Sequence, residues 1–308
     1  MDKKERPSYL ALQEKGELIE RARLLGEMLT SCTLCPRRCN VNRKAGDLGA
    51  CGVDARPKVA AVNIHPWEEP PISGTCGSGT IFFSGCTLSC LFCQNYPISQ
   101  LGVGRYVSAE ELAQEMLNLQ RQGAHNINLV TATHQMAAIL DALLLAIPHG
   151  FRLPLVYNTG GYERVEILQI FEGIVDIYLP DIKYADPAAA RHCSGRSDYV
   201  AFNRPALLEM WRQVGPLKVD PEGIAFRGML IRHLVLPDDL SGTAENLAFL
   251  AEKIGPEAWV SLMHQYFPAH KALHTPPLDR KVTRQEYEEA FRAATLLGLE
   301  NGFVQTFA

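Results

Sequence analysis

No apolar run in these 308 residues is long enough to cross a bilayer. The most apolar helix candidate, Met136 to Ile147, is short and carries Asp141. The start, M-D-K-K-E-R-P, lacks the apolar stretch of a secretory leader. Neither sign of charge dominates: 30 Lys and Arg against 34 Asp and Glu leave a formal charge of −4. A nucleic-acid or membrane-surface partner is therefore not expected. The basic stretch of Arg37, Arg38, Arg43 and Lys44 reads as a solvated face. No internal repeat or low-complexity tract is evident, nor any nucleophile paired with a base. Nine cysteines is an odd number, so in a chain without a leader a disulfide framework is not expected. These absences leave a cytoplasmic globular protein, with a sizeable core, whose cysteines serve metal binding or redox chemistry.

Three of the cysteines lie within eight residues. Cys86, Cys90 and Cys93 stand in G-C-T-L-S-C-L-F-C-Q-N, directly after the strand-like run Thr80 to Phe83. Three thiolates spaced C-x3-C-x2-C can hold three corners of a cubane [4Fe–4S] cluster. No fourth cysteine follows at matching range, so one iron would stay open for chemistry, where an electron carrier would close it. A zinc knuckle short of one ligand and a chance grouping are the alternatives. Cys32, Cys35, Cys39 and Cys51 form a second group, spaced C-x2-C-x3-C-x11-C. That spacing fits tetrahedral zinc, an auxiliary iron–sulfur cluster, or four unligated reduced thiols. Gly46, Gly49 and Gly52 would supply tight turns around a site. Cys76 and Cys193 are single, and incidental or buried thiols are expected there.

Helical spacing marks Gly16 to Leu29, and residues 58 to 75 read as a short strand and a Pro-rich loop. That loop divides an N-terminal helix and cysteine-rich metal-binding segment, 1–75, from the remainder, 76–308. Beyond it, continuous apolar runs suit parallel strands buried on both faces. They are Thr80 to Ser84, Ile127 to Thr131, Leu153 to Asn158, Ile174 to Leu179, Met229 to Leu236 and Ala258 to Met263. Helical patterns separate or follow them at Ala109 to Gln122, Gln135 to Ile147, Glu163 to Phe171, Pro205 to Val214, Thr243 to Ile254 and Arg284 to Leu297. Six β/α units make either a partial barrel or a doubly wound sheet, and both place ligands at the carboxyl ends of the strands. Those ends are polar. The second strand runs into Thr131, Ala132, Thr133 and His134, the third into Y-N-T-G-G-Y (Tyr157 to Tyr162), and the fourth into Asp181 and Lys183. The fifth carries Arg232, and the sixth runs into Met263, His264, Gln265 and Tyr266. Thr133 could equally cap the next helix, and Asp181 with Lys183 could be a surface ion pair. Tyr266 to Thr283, rich in Pro and His, reads as a loop over the mouth.

The cysteine run resembles the signature of the radical S-adenosylmethionine (SAM) superfamily. Over about residues 32 to 300 the chain is most similar to uncharacterised homologues of pyruvate formate-lyase activating enzyme. The shared runs are C-P-R-R-C, G-S-G-T-I-F-F-S-G-C, C-Q-N-Y, D-I-Y-L-P-D-I-K-Y and R-H-L-V-L-P. The resemblance implies an α/β fold, a partial (β/α)6 TIM-like barrel of parallel strands with a cysteine-rich N-terminal segment. It implies an oxidoreductase with a [4Fe–4S] cluster on Cys86, Cys90 and Cys93, whose open iron chelates SAM and whose reduction cleaves it to a 5′-deoxyadenosyl radical. Phe92 would lie against the adenine. Gln94 and Asn95 match a C-H-N run, with Gln in place of His. Thr131, Thr133 and neighbouring carbonyls would hold the amino group, since the usual G-G-E turn is missing. Asn158 and Thr159 match a D-T-N-G run, with Asn for Asp; Asp181 and Lys183 would meet the ribose and carboxylate region, and Arg232 the carboxylate. The implied partners are an electron donor such as flavodoxin or ferredoxin and a glycyl radical enzyme activated at a glycine. Radical modification of another peptide or a small molecule is the alternative. Outside this resemblance stand an iron–sulfur electron-transfer protein and a zinc-dependent binding module.

Overall fold

The computed structural model describes residues 6–305; the charged start, Met1 to Glu5, lies outside them. Ten strands form the sheet: β1 (Lys58–His65), β2 (Ser78–Phe83), β3 (Arg105–Tyr106), β4 (Ile127–Val130), β5 (Leu155–Thr159), β6 (Ile177–Pro180), β7 (Lys218–Val219), β8 (Ala225–Leu234), β9 (Trp259–Met263) and β10 (Gly302–Val304). Their order is β10-β9-β8-β6-β5-β4-β2-β1-β3, with β7 beside β8. From β2 to β10 the neighbours along this path are parallel. The result is an α/β architecture with an open, mostly parallel sheet, a partial TIM-like barrel preceded by a cysteine-rich region. β4, β5 and β6 are buried along nearly their whole length, which is why their sequences run apolar without alternation. All six expected parallel strands are present, with ends shifted by a few residues.

Four strands were not anticipated as they stand. β1 is eight residues long and pairs antiparallel with β2, so the segment before residue 75 shares the barrel's own sheet. β3 and β7 are two-residue pieces held by pairing alone. β10 adds a seventh parallel strand beyond the last helix, with Gly302 opposite Val260. Three residues are too few for a period to register.

The helices are α1 (Tyr9–Glu14), α2 (Glu17–Glu27), α3 (Pro70–Ser73), α4 (Tyr96–Ser99), α5 (Ala109–Arg121), α6 (Met136–Ala146), α7 (Val165–Phe171), α8 (Pro187–Ser194), α9 (Tyr199–Val214), α10 (Thr243–Lys253) and α11 (Arg284–Leu296). Capping boxes start α5 (Ser108 with Glu111) and α11 (Thr283 with Glu286). α6 packs against both α2 and α5, which accounts for an almost wholly apolar sequence too short to span a bilayer. Among the described residues no helix is long and apolar enough to cross a membrane. Several helices differ from expectation. α1, α3, α4 and α8 were not foreseen, and α9 begins six residues before Pro205 rather than at it. The lost amide bond inside α9 is tolerated because the preceding turn is anchored elsewhere: Asn203 donates to the carbonyls of Gly161 (3.1 Å) and Asp181 (3.0 Å). The N-terminal arm is fixed at the amino ends of the strands, where Ser8 N–H donates to Asp176 (2.8 Å) and the Tyr9 hydroxyl to Leu153 O (2.9 Å).

Candidate functional site

The loop leaving β2 carries Cys86, Cys90 and Cys93, all partly buried. It is fixed from outside the barrel by the expected mouth loop and by α8: Ala272 N–H donates to Leu91 O (3.1 Å), and Leu91 N–H to Cys193 O (2.8 Å). Cys193 is thus a buried packing thiol, while Cys76 is exposed. The three loop cysteines line one cavity of about 550 Å³. Its other walls are the carboxyl ends of the strands, contributing Thr131, Asn158, Asp181, Lys183 and Arg232. Burial, and then the neighbouring thiols, push Cys86 up to about 12; burial likewise lifts Cys90 to about 11, although Lys183 pulls the other way. Such thiols ionise when cations are bound among them. Three soft donors on one loop facing one cavity suit an iron–sulfur cluster by donor chemistry. Among the described residues, no three His, Cys, Asp or Glu side chains are already gathered at bonding distance around one point.

The same cavity is bordered by a buried ionic cluster. Lys183 reaches Asp181 at 2.5 Å. Arg232 donates to Asn158 Oδ1 (2.5 Å), Asp181 (3.3 Å) and Glu68 (3.3 Å). Burial alone would lift the Asp181 carboxyl, but Lys183 and Arg232 outweigh it and hold it below the usual carboxylate range. The Asp181–Lys183 pair is therefore not a solvated surface pair, since both side chains are more than four-fifths buried. Two cations facing a cavity can hold a ligand carboxylate, and Asp181 can accept from a ribose hydroxyl. Asn95 lines the same cavity. Phe92 packs edge-on to Tyr266 (5.7 Å between ring centres) and lines an adjoining compartment of about 220 Å³ with Gln94 and Lys183.

The two threonines are placed differently. The Thr133 hydroxyl donates to Glu163 (2.6 Å), as does that of Thr159, and the Tyr157 hydroxyl joins them at 3.3 Å. Thr133 borders the cavity, whereas Thr159 is buried behind it. Both hydroxyls therefore serve a carboxyl group rather than pointing freely at a ligand. Burial lifts Glu163 to about 7, and its second oxygen has no hydrogen-bond partner. The glycine pair divides as well. Gly160 borders the cavity, but a Cβ on Gly161 would lie 2.3 Å from the carbonyl of Asp181, so its close approach is to the next strand and not to a ligand.

Cys32, Cys35, Cys39 and Cys51 come together under Arg43. A Cβ built on Gly49 would stand 3.2 Å from Cys51 Sγ and 3.6 Å from Cys39 Sγ. Burial pushes Cys35 up to about 12 and raises Cys51. Arg43 is 1% exposed, which corrects its reading as part of a solvated basic face. Its guanidinium donates to the carbonyls of Asp54 (2.6 Å) and His134 (2.8 Å) and to Cys32 Sγ (3.8 Å). The Asp54 carboxylate faces Arg56 instead, at 2.6 Å. The two cysteine groups meet at Gly85, where φ is +84° and a Cβ would lie 2.3 Å from Cys51 O. His134, buried so that its imidazole is pushed down to about 4, closes the junction against Ser84 O (2.8 Å).

Sequence reasoning assigned no role to Glu68 or Glu163 and took Arg43 for a surface charge. Glu163 directly follows the Y-N-T-G-G-Y run, and Glu68 sits in W-E-E-P-P, read only as a linker. An acidic pair between an aromatic and two prolines was the available signal.

Residues 80–203 match the Radical SAM superfamily. The span runs from β2 into α9 and contains the cysteine loop and the ends of β4, β5 and β6. The chain is also similar to an uncharacterized protein of Methanocaldococcus jannaschii, 29% identical over 279 residues, covering 88% of this chain and 76% of that protein. The match over residues 80–203 thus supports a Radical SAM superfamily domain there, and with it an enzyme using a [4Fe–4S] cluster and S-adenosylmethionine.

Proposed function

We propose that Cys86, Cys90 and Cys93 ligate the [4Fe–4S] cluster, leaving one iron open, and that the cavity beside them holds S-adenosylmethionine. When bound, the cluster would supply one-electron reduction of S-adenosylmethionine, the chemistry that provides a radical for hydrogen abstraction from a substrate. The observation that carries this reading is the shared cavity, lined by all three thiols and by Asp181, Lys183 and Arg232. In this reading Lys183 and Arg232 hold the cofactor's carboxylate and Asp181 its ribose. Asn158 orients Arg232, Phe92 flanks the adenine, and Asn95 and Thr131 complete the wall. Thr133 and Thr159 act indirectly, fixing the β4 and β5 ends through Glu163. Residues 1–75 form the second, metal-binding segment, with zinc or an iron–sulfur cluster on Cys32, Cys35, Cys39 and Cys51. A flavodoxin or ferredoxin supplies the electron.

For the substrate, the resemblance to activating enzymes favours a glycine on a partner glycyl radical enzyme, and the open sheet would admit a polypeptide loop. Anaerobically reconstituted, reduced protein should convert S-adenosylmethionine to 5′-deoxyadenosine and methionine. Electron paramagnetic resonance with candidate partners should then show a glycyl doublet. Absence of 5′-deoxyadenosine from iron-loaded, reduced protein would refute the enzymatic reading. Deuterium arriving in 5′-deoxyadenosine from a labelled small molecule, with no protein radical, would move the substrate to that class.

A further inference from the structure

Next to the cysteine cavity lies a smaller compartment of about 170 Å³ that no cysteine touches. The two share a wall of Trp67, Glu68, Arg232 and Gln265. The far side of the small compartment is the end of β9 with Phe303 of β10, and its floor is Glu69. Glu69 is 9% exposed, and its Oε2 is buried with no hydrogen-bond partner. An unpartnered carboxylate oxygen in such a place is costly, and native proteins rarely leave one. The nearest cation makes no hydrogen bond to it. Arg232 donates to Asn158, Asp181 and Glu68 and also feels the Glu69 charge, so one guanidinium is shared among three carboxylates. Glu68 gains only one further donor, Asn128 Nδ2 at 3.1 Å. Burial, only partly offset by Arg232, lifts its carboxyl above the ordinary range, and the Glu69 charge adds to this. Above both acids Trp67 is 67% exposed, an indole free to cover a cation.

We propose that this compartment is a substrate subsite for a cationic group, an ammonium or guanidinium, seated between Glu69, Glu68 and the Trp67 ring. Its volume falls below the roughly 300 Å³ at which pockets enclose a whole drug-sized ligand, so it takes one end of a substrate. The remainder passes the Trp67–Arg232 wall into the cysteine cavity, where a hydrogen atom can be removed. The charge of the site selects the group. The shape leaves two sources for it, a Lys or Arg side chain beside the reacting position of a polypeptide, or one end of a small polyamine.

This inference rests on the function proposed above, and the test separates the two. Reconstituted protein is titrated calorimetrically under anaerobic conditions, first with S-adenosylmethionine, then, with that present, with four probes. These are the peptide acetyl-Gly-Lys-Gly-amide, its Nε-acetyl-lysine counterpart, spermidine and its fully acetylated form. At least one cationic probe should bind tenfold or more tightly than its neutral counterpart. Glu69→Gln should cut that preference about tenfold, and Trp67→Ala, at an exposed position that the fold does not need, a few-fold. A preference confined to the peptide assigns a polypeptide substrate, and one confined to spermidine a small amine. Equal binding of charged and neutral partners, no binding of either cation, or a preference unchanged in Glu69→Gln overturns the subsite. If S-adenosylmethionine itself fails to bind, the function proposed above fails instead.

Discussion

The two cysteine groups of this chain are built from the same donor atoms and put to opposite arrangement. Cys86, Cys90 and Cys93 face a cavity of about 550 Å³ that Asp181, Lys183 and Arg232 also line. Cys32, Cys35, Cys39 and Cys51 surround no described cavity and are closed over by Arg43 and Gly49. Three donors beside open space leave a coordination position for a ligand, whereas four donors under a buried guanidinium leave none. The difference teaches that donor count alone does not separate a chemical site from a structural one. What the thiols face separates them, and here the open set faces Lys183 and Asp181, while the closed set faces the backbone of its own loop.

The sharpest way to break the comparison is to remove the open set. The triple Cys86→Ala, Cys90→Ala, Cys93→Ala variant should lose about four irons per chain, the complement of one [4Fe–4S] cluster, and all 5′-deoxyadenosine formation. Its far-ultraviolet circular dichroism should stay near that of the parent, because the barrel core does not depend on these side chains. Unchanged iron content would show that the cavity thiols hold no cluster.

Next comes Arg43. A buried guanidinium bonded to two carbonyls and a thiol has the Asp54 carboxylate as a nearby counter-charge, shared with Arg56, and cysteine thiolates around it would add to that. With a metal–thiolate centre present, Arg43→Met should destabilise the protein by about 3–5 kcal/mol, the usual loss on removing one member of a buried charge pair. Denaturant unfolding of metal-loaded and metal-free protein measures this. A loss no larger in metal-loaded than in metal-free protein would mean that the four cysteines do not act as thiolates beside Arg43.

Much of this contrast was visible in the chain. The spacing of each cysteine group named both sets, and continuous apolar runs located six parallel strands whose polar ends became the cavity wall. Much of what could not be read depended on tertiary contact. Arg43 looked like one of four surface charges, although it folds inward onto Asp54 and Cys32, eleven residues away on either side, and onto His134, 91 residues away. Glu68 looked like linker because its partner Arg232 lies 164 residues away. Thr159 carried a motif match, yet its hydroxyl is directed by Glu163, four positions on, into the interior. β10 was too short for any period, and only pairing with β9 defines it.

A third test targets the seam between the two groups. Gly85 adopts φ +84° within 2.3 Å, counted from a Cβ position, of Cys51 O. Gly85→Ala should therefore pay for both a left-handed backbone and a backbone clash, about 2–4 kcal/mol together. Gly46, at φ +93° with nothing within 4 Å, isolates the first effect, and Gly46→Ala should cost only about 1–2 kcal/mol. Metal content of both groups should fall in the Gly85 variant and hold in the Gly46 variant. Equal losses would show that the two cysteine loops do not bear on each other.

The smallest expected effect is also the most specific to the open site. Lys183 is buried against Asp181 at 2.5 Å and lines the same cavity as the thiols. Burial by itself would lower its ammonium, but Asp181 and then Cys90 outweigh this and keep it charged well above neutral pH. If it holds the cofactor's carboxylate, Lys183→Ala should weaken S-adenosylmethionine binding about tenfold, or roughly 1.4 kcal/mol, while the iron content stays that of the parent. The loss is modest because Arg232 remains to carry the carboxylate. It is also specific, because Asp181 keeps Arg232 as its counter-ion and is not left unpaired in the interior. Arg232→Lys tests the same assignment from the other side: it keeps the charge but gives up the forked geometry that joins Asn158, Asp181 and Glu68. Its binding loss should equal or exceed that of Lys183→Ala. Binding unchanged in both variants, with clusters intact, would detach this charged wall from the cofactor and leave the cavity defined by its thiols alone.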